Sequence, residues 1–165
     1  MACGFIPFIF NNRPAVSFPR VKTFFEKLRK AEGASLPVGA AGFCWGGKHT
    51  VLLAAGHEID GKALIDAGFT GHPSLLSFPT DVEKMVIPVS FAIGSEDHAM
   101  SKERVEQIRR IVEGKPEGQK GEVTIYDGAA HGFCVRADVK NPDVSKQAGE
   151  AENQCINWFN LRFKL

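Results

Sequence analysis

The feature that most limits what this chain can fold into is an alternation. From Val38 onward, short apolar runs and helical segments stopped by glycine follow one another. "VGAAGF" (38–43) reads as a buried strand, and 45–55 as a helix ended by Gly56. "KALIDAGF" and "IPVSFAIG" read as further strands, 101–113 as a helix ended by Gly114, and "GEVTIYDG" as another strand. The stretch 145–163 carries Ala148, Ala151, Cys155, Trp158, Phe159 and Arg162 near one helical face. Ahead of all this, 20–32 places Val21, Phe24, Phe25 and Leu28 at helical spacing before Gly33. Strands alternating with helices predict an α/β fold: a mostly parallel sheet of about four to five strands with helices on both faces. The segment 72–86 reads as an irregular connection with a short helix. No internal repeat or linker interrupts the pattern, so 1–165 is read as one domain.

Such a sheet needs a core, and 165 residues with 44% hydrophobic content provide one. The 20 basic and 19 acidic residues leave a net charge of +1, which gives no footing for nucleic acid or an anionic membrane. No apolar run approaches the ~20 residues of a membrane-spanning helix. The opening "MACGFIPFIFNNR" is apolar, but it has no basic segment and Pro7 interrupts it, so it is not read as a signal peptide. A reducing, cytoplasmic setting is expected, in which Cys3, Cys44, Cys134 and Cys155 remain thiols. No pair of them has CxxC or zinc-ligand spacing, and neither a metal nor any other cofactor is expected.

In parallel sheets, ligands gather beyond the carboxyl ends of the strands. Those positions hold Cys44 after the first strand, Gly71 to Ser74 after the second, Asp97 after the third and His131 after the fourth. Gly42-Phe43-Cys44-Trp45-Gly46 has the G-x-C-x-G form of a nucleophile elbow. There the reactive residue takes strained backbone angles, and small neighbours let strand and helix approach closely. A helix N-terminus at that point favours a thiolate, and the Trp45 N–H would face a developing oxyanion. Cys44, Asp97 and His131 also follow one another in hydrolase order. Each has a plainer reading: a packed cysteine in a glycine-rich turn, a cap ahead of the helix at Ser101, and a turn histidine. Asp97 also has Glu96 and His98 beside it. His49, His57, His72 and His98 read as surface or loop residues, and Cys134 as a small buried apolar residue.

"GFCWGGK", the "HPS" after the next strand, Asp97 following "FAIGSE", and "YDGAAHGFCVRAD" together resemble the dienelactone hydrolase family of the α/β-hydrolase fold. The resemblance runs from about Val38 to the C-terminus. It implies hydrolysis of small esters or lactones with Cys44 as nucleophile, His131 as base and Asp97 as the acid that orients it, through a thioester acyl-enzyme. It also implies an oxyanion donor at Trp45 and a substrate-binding role for Arg136, placed like the arginine that holds the substrate carboxylate in this family.

The family's front strands are not found ahead of 38–43, nor is the loop that supplies a second oxyanion donor, so the chain is expected to be an N-terminally truncated member. "FIPFIF" is read as a short edge strand, since Pro7 bars it from a sheet interior. The strand 38–43 would then expose an edge that invites pairing with another copy of the chain. With one oxyanion donor instead of two, kcat would fall by ~10²–10³. Two other functions compete with an active hydrolase: a catalytically weak remnant serving as a binding or assembly module, and a redox-sensing thiol protein.

Overall fold

The computed structural model describes residues 7, 8, 10–138 and 140–165. Helix α1 spans Pro14–Lys30, with Pro14 at the first helical position, where a missing N–H costs nothing. Strand β1 (Gly39–Phe43) leads into α2 (Trp45–Leu53). A two-residue-per-strand hairpin follows, β2 (Glu58–Ile59) with β3 (Lys62–Ala63). Its turn residues Asp60 and Gly61 both have positive φ, 52° and 73°, as a tight hairpin turn requires. Next come β4 (Ala67–Gly71), the short α3 (Thr80–Glu83), β5 (Val89–Glu96), α4 (Lys102–Glu113), β6 (Glu122–Ala130) and α5 (Pro142–Phe163).

Four strands form one sheet in the order β1-β4-β5-β6, with every neighbouring pair parallel. β1 lies at one end and is paired only with β4 among the described residues. Period-two alternation along β5 builds a layer on each side. Val89, Phe91 and Ile93 enter a cluster with Val51 and Leu53 of α2 and Val105, Ile108 and Val112 of α4, while Phe18, Val21, Phe25 and Leu28 of α1 pack at its margin. Ala92 faces the other way, into a cluster with Phe69, Tyr126, Phe133, Ala151 and Trp158 beneath α5. Helices therefore cover both faces, as the alternation predicts. Among the described residues no helix is long and apolar enough to cross a membrane.

Several local readings need correction. "KALIDAGF" is two elements: Lys62–Ala63 belongs to the hairpin, and the sheet strand starts at Ala67 and runs on to Gly71. The break has a cause in Asp66, whose carboxylate accepts the Val38 N–H at 2.7 Å and pairs with the buried Arg29 guanidinium. Arg29 also donates to the carbonyls of Ala63, Gly33 and Leu36, fixing this stretch to α1 instead of to a sheet neighbour. Phe24 is exposed, not part of the buried face of α1. Helix α5 begins three residues early because Asn141 caps it, accepting the Asp143 and Val144 N–H groups, with Pro142 following. Of "FIPFIF", Phe5, Ile6 and Ile9 lie outside the described residues, as does Cys3; Pro7, Phe8 and Phe10 are helical, not extended.

Candidate active site

Cys44 sits between the last residue of β1 and the first of α2 with φ 52° and ψ −118°, a conformation that non-glycine residues rarely adopt. The turn is closed by small residues. A Cβ on Gly42 would lie 2.3 Å from Thr50 Oγ1 and 2.4 Å from the Gly46 carbonyl, and one on Gly47 would lie 2.3 Å from Thr70 Oγ1. Any larger residue at either position would push α2 off the sheet. Backbone bonds fix the cysteine from both sides: its N–H donates to Gly71 O (3.1 Å), and its carbonyl accepts from the N–H groups of Gly47 and Ser74 (3.1 Å each).

Asp97 follows β5 and His131 follows β6, so three carboxyl ends of the parallel sheet converge. His131 Nδ1 lies 2.8 Å from Asp97 Oδ1 and 3.0 Å from Oδ2, and Nε2 lies 3.1 Å from Cys44 Sγ. With the Asp97 carboxylate accepting, Nδ1 donates, which leaves Nε2 as the acceptor that faces the thiol. The Asp97 side chain is fully buried, and Oδ1 also accepts the Ala99 N–H at 2.8 Å, which holds the carboxylate in place. The result is an unbroken run from carboxylate to imidazole to sulfur, in a geometry that can move a proton off the thiol and hold the resulting imidazolium.

Trp45 N–H is at the first position of α2, one of the donors that a helix leaves without an intrahelical acceptor. Its indole packs on His49 with centroids 4.2 Å apart and donates to Asn12 O at 3.2 Å. Arg136 is exposed and folds back over Gly132, where a Cβ would meet its guanidinium nitrogens at 3.0–3.1 Å. Gly132 has φ 95°, which is what calls for glycine there, and it is the residue next to His131. The other described thiols are not poised to react. Burial pushes Cys134 up to about 12 and Cys155 up to about 11. Among the described residues no cluster of three His, Cys, Asp or Glu side chains could hold a metal ion.

Two residues of the strand end 71–74, given no role from the sequence, adjoin the site. Ser74 Oγ lies 3.6 Å from Cys44 Sγ. His72 is not a surface residue: it has no exposed area, and its ring packs edge-to-face against His131 with centroids 4.9 Å apart. The chain turns under the sheet there, at φ 40°, with the His72 N–H bonded to Ala92 O at 2.7 Å. Their position after a strand end was the available signal. His49 is also buried; its Nδ1 donates to Trp45 O at 3.1 Å, and Nε2 lies 2.7 Å from Ser17 Oγ.

Burial, with the charge of His131 adding to it and that of Asp97 opposing it, pushes His72 from 6.5 down to about 4. The folded protein therefore binds fewer protons than the unfolded chain between those two values. This contribution to stability is complete above pH 6.5 and is lost as the pH falls through that window. The protein should lose about 2–3 kcal/mol through His72 on going from neutral pH to pH 4.5. Urea unfolding of the wild type and His72→Leu at the two pH values should show the variant losing that much less; equal losses would contradict a buried neutral His72.

A sequence model of the dienelactone hydrolase family matches residues 14–163, and the chain belongs to that family. Among curated relatives, it is 29% identical over 154 residues to the hydrolase tropI of Talaromyces stipitatus, covering 93% of this chain and 57% of that protein. It is 24% identical over 151 residues to the hydrolase pyvD of Aspergillus violaceofuscus, covering 92% of this chain and 58% of that one. The chain thus spans little more than half the length of these two relatives. Among solved structures, the esterase Est2 of Thermogutta terrifontis superposes with a TM-score of 0.65 at 15% identity, over 87% of this chain and 64% of the other, a likeness of fold.

Proposed function

We propose that residues 1–165 form one hydrolase unit that cleaves small ester or lactone substrates through a thioester on Cys44. Cys44 Sγ attacks the substrate carbonyl carbon as His131 Nε2 takes the thiol proton, and Asp97 holds Nδ1–H and offsets the imidazolium charge. The carbonyl oxygen, now an oxyanion, accepts from the Trp45 N–H at the positive end of α2. When the carbon–oxygen bond breaks, His131 returns its proton to the departing alkoxide, leaving the acyl group on sulfur. Water then attacks the thioester while His131 takes a proton from it; collapse of this second intermediate breaks the carbon–sulfur bond, frees the acid, and returns the His131 proton to Cys44 Sγ. In a lactone, alcohol and acid leave as one molecule. The Arg136 guanidinium lies over Gly132, the residue after His131, and there it would pair with a substrate carboxylate.

The observation that carries this reading is the continuous Asp97–His131–Cys44 run at the carboxyl ends of the sheet. The names of the relatives, hydrolases and an esterase, support the reaction class. A chromogenic acetate ester assayed with the wild type and Cys44→Ala side by side tests the proposal. Hydrolysis above background by the wild type and none by the variant is the expected result; equal rates would remove Cys44 from the mechanism.

A further inference from the structure

His72 is a polar residue placed where polarity is costly. It is wholly buried, and neither ring nitrogen has a hydrogen-bond partner among the described residues. Instead the ring is boxed by aromatic neighbours: Phe43 of β1 at 6.0 Å, Phe133 at 6.0 Å, and His131 at 4.9 Å with ring planes at 69°. The charged or titratable groups that face it are His131 and Arg136 from the segment after β6 and Asp97 from the segment after β5. The backbone is committed as well, with φ 40° and the N–H bonded into β5. Loose packing would not keep a ring in such a place, and side-chain hydrogen bonds do not hold it there.

Its contact with His131 is the feature with chemical meaning. The His131 ring is held by its Cβ and by two bonds, to Asp97 through Nδ1 and to Cys44 through Nε2, and those bonds can bend. Rotation of the ring by such bending tips Nε2–H out of the direction in which a leaving oxygen departs. Two flat neighbours pack edge-to-face on it, His72 and His98, the latter at 5.1 Å and 62°. His98 is exposed, whereas His72 is wholly buried and so is the one held firmly enough to remove that rotation, and while neutral it does so without repelling the imidazolium.

We infer that His72 is a positioning residue: its ring, packed edge-to-face against His131, fixes the ring plane in which His131 exchanges protons with Cys44 and the substrate. This rests on the Cys44–His131–Asp97 reading given above. His72→Phe keeps a flat face and His72→Leu keeps buried apolar volume without one. The ester assay, run on both variants beside Cys44→Ala, should give His72→Leu a kcat lowered ~10–100-fold with KM unchanged, and His72→Phe a kcat within about threefold of wild type. A His72→Leu protein with wild-type kcat, or a His72→Phe protein as slow as it, overturns the inference while Cys44→Ala remains inactive. Activity in Cys44→Ala instead overturns the parent reading and this one with it. Should either ring variant fail to fold, nitrogen-15 shifts of the unaltered protein decide. His72 is expected to stay neutral until the pH nears about 4, and a His72 that protonates near the ordinary value of 6.5 refutes the role.

Discussion

Replacing His131 or Cys44 with alanine is expected to remove ester hydrolysis down to background, about 10⁴-fold or more in kcat, and the double variant should lose little further. Groups that act as one unit give such non-additive losses, because deleting either member already disables the step that both perform. Asp97→Asn is the more discriminating change. The amide preserves shape and can still hydrogen-bond Nδ1, but its NH₂ group can donate where the carboxylate only accepts. That favours the tautomer with the proton on Nε2, facing sulfur, and the loss should again be about 10⁴-fold with KM little altered. Steady-state kinetics on the three single variants and the Cys44/His131 pair provide the check. Additive losses in the double variant, or full activity in Asp97→Asn, would mean that the hydrogen-bonded run between these residues is structural only.

The largest loss of stability is expected away from the sulfur, at Lys48→Met. Lys48 lies on α2, one turn after the cysteine, with its side chain only 4% exposed, and its Nζ bonds Asp81 Oδ2 at 2.5 Å. It also donates to Ser77 Oγ at 3.1 Å, while Asp81 accepts the Ser77 N–H at 2.6 Å. This closed set joins the helix that follows Cys44 to the segment that carries Ser74 past it. Removing the lysine strands a buried carboxylate, which costs about 3–5 kcal/mol, or a Tm lower by roughly 10 °C or more in a chain of this size. Replacing both charges, Lys48→Met with Asp81→Leu, should recover most of that loss, since no charge is then left unpaired. Urea unfolding of the single and double variants measures this directly. A single variant within about 1 kcal/mol of wild type would contradict the assigned burial.

The architecture was legible because its signals are periodic and local. Apolar runs of strand length, helical spacing in α4 and α5, and glycines at 42, 46, 47 and 56 each act through their own neighbours. The order Cys44, Asp97, His131 was legible too, because a parallel sheet brings successive strand ends to one rim. What escaped the sequence depended on distant partners. Asp66 ends one element and starts another only because Arg29, 37 residues earlier, reaches its carboxylate. Phe24 points outward although its spacing suits an inward face, since the sheet offers room to Phe25 and Leu28 instead. His72 looks like a loop residue by composition, yet it is buried because the chain turns beneath β1 and the segment after β6 closes over it.

In the proposed reaction the acyl group is carried on sulfur. The direct measurement is to mix the protein with an excess of a 4-nitrophenyl ester, quench in acid within the first turnovers, and map the acyl mass by peptide mass spectrometry. The adduct is expected on the peptide containing Cys44, absent from Cys44→Ala, released by hydroxylamine at neutral pH as a thioester is, and not found on Cys134 or Cys155, whose thiols burial keeps protonated. Steady hydrolysis with Cys44 unmodified, or an adduct of equal yield on another residue in Cys44→Ala, would contradict it.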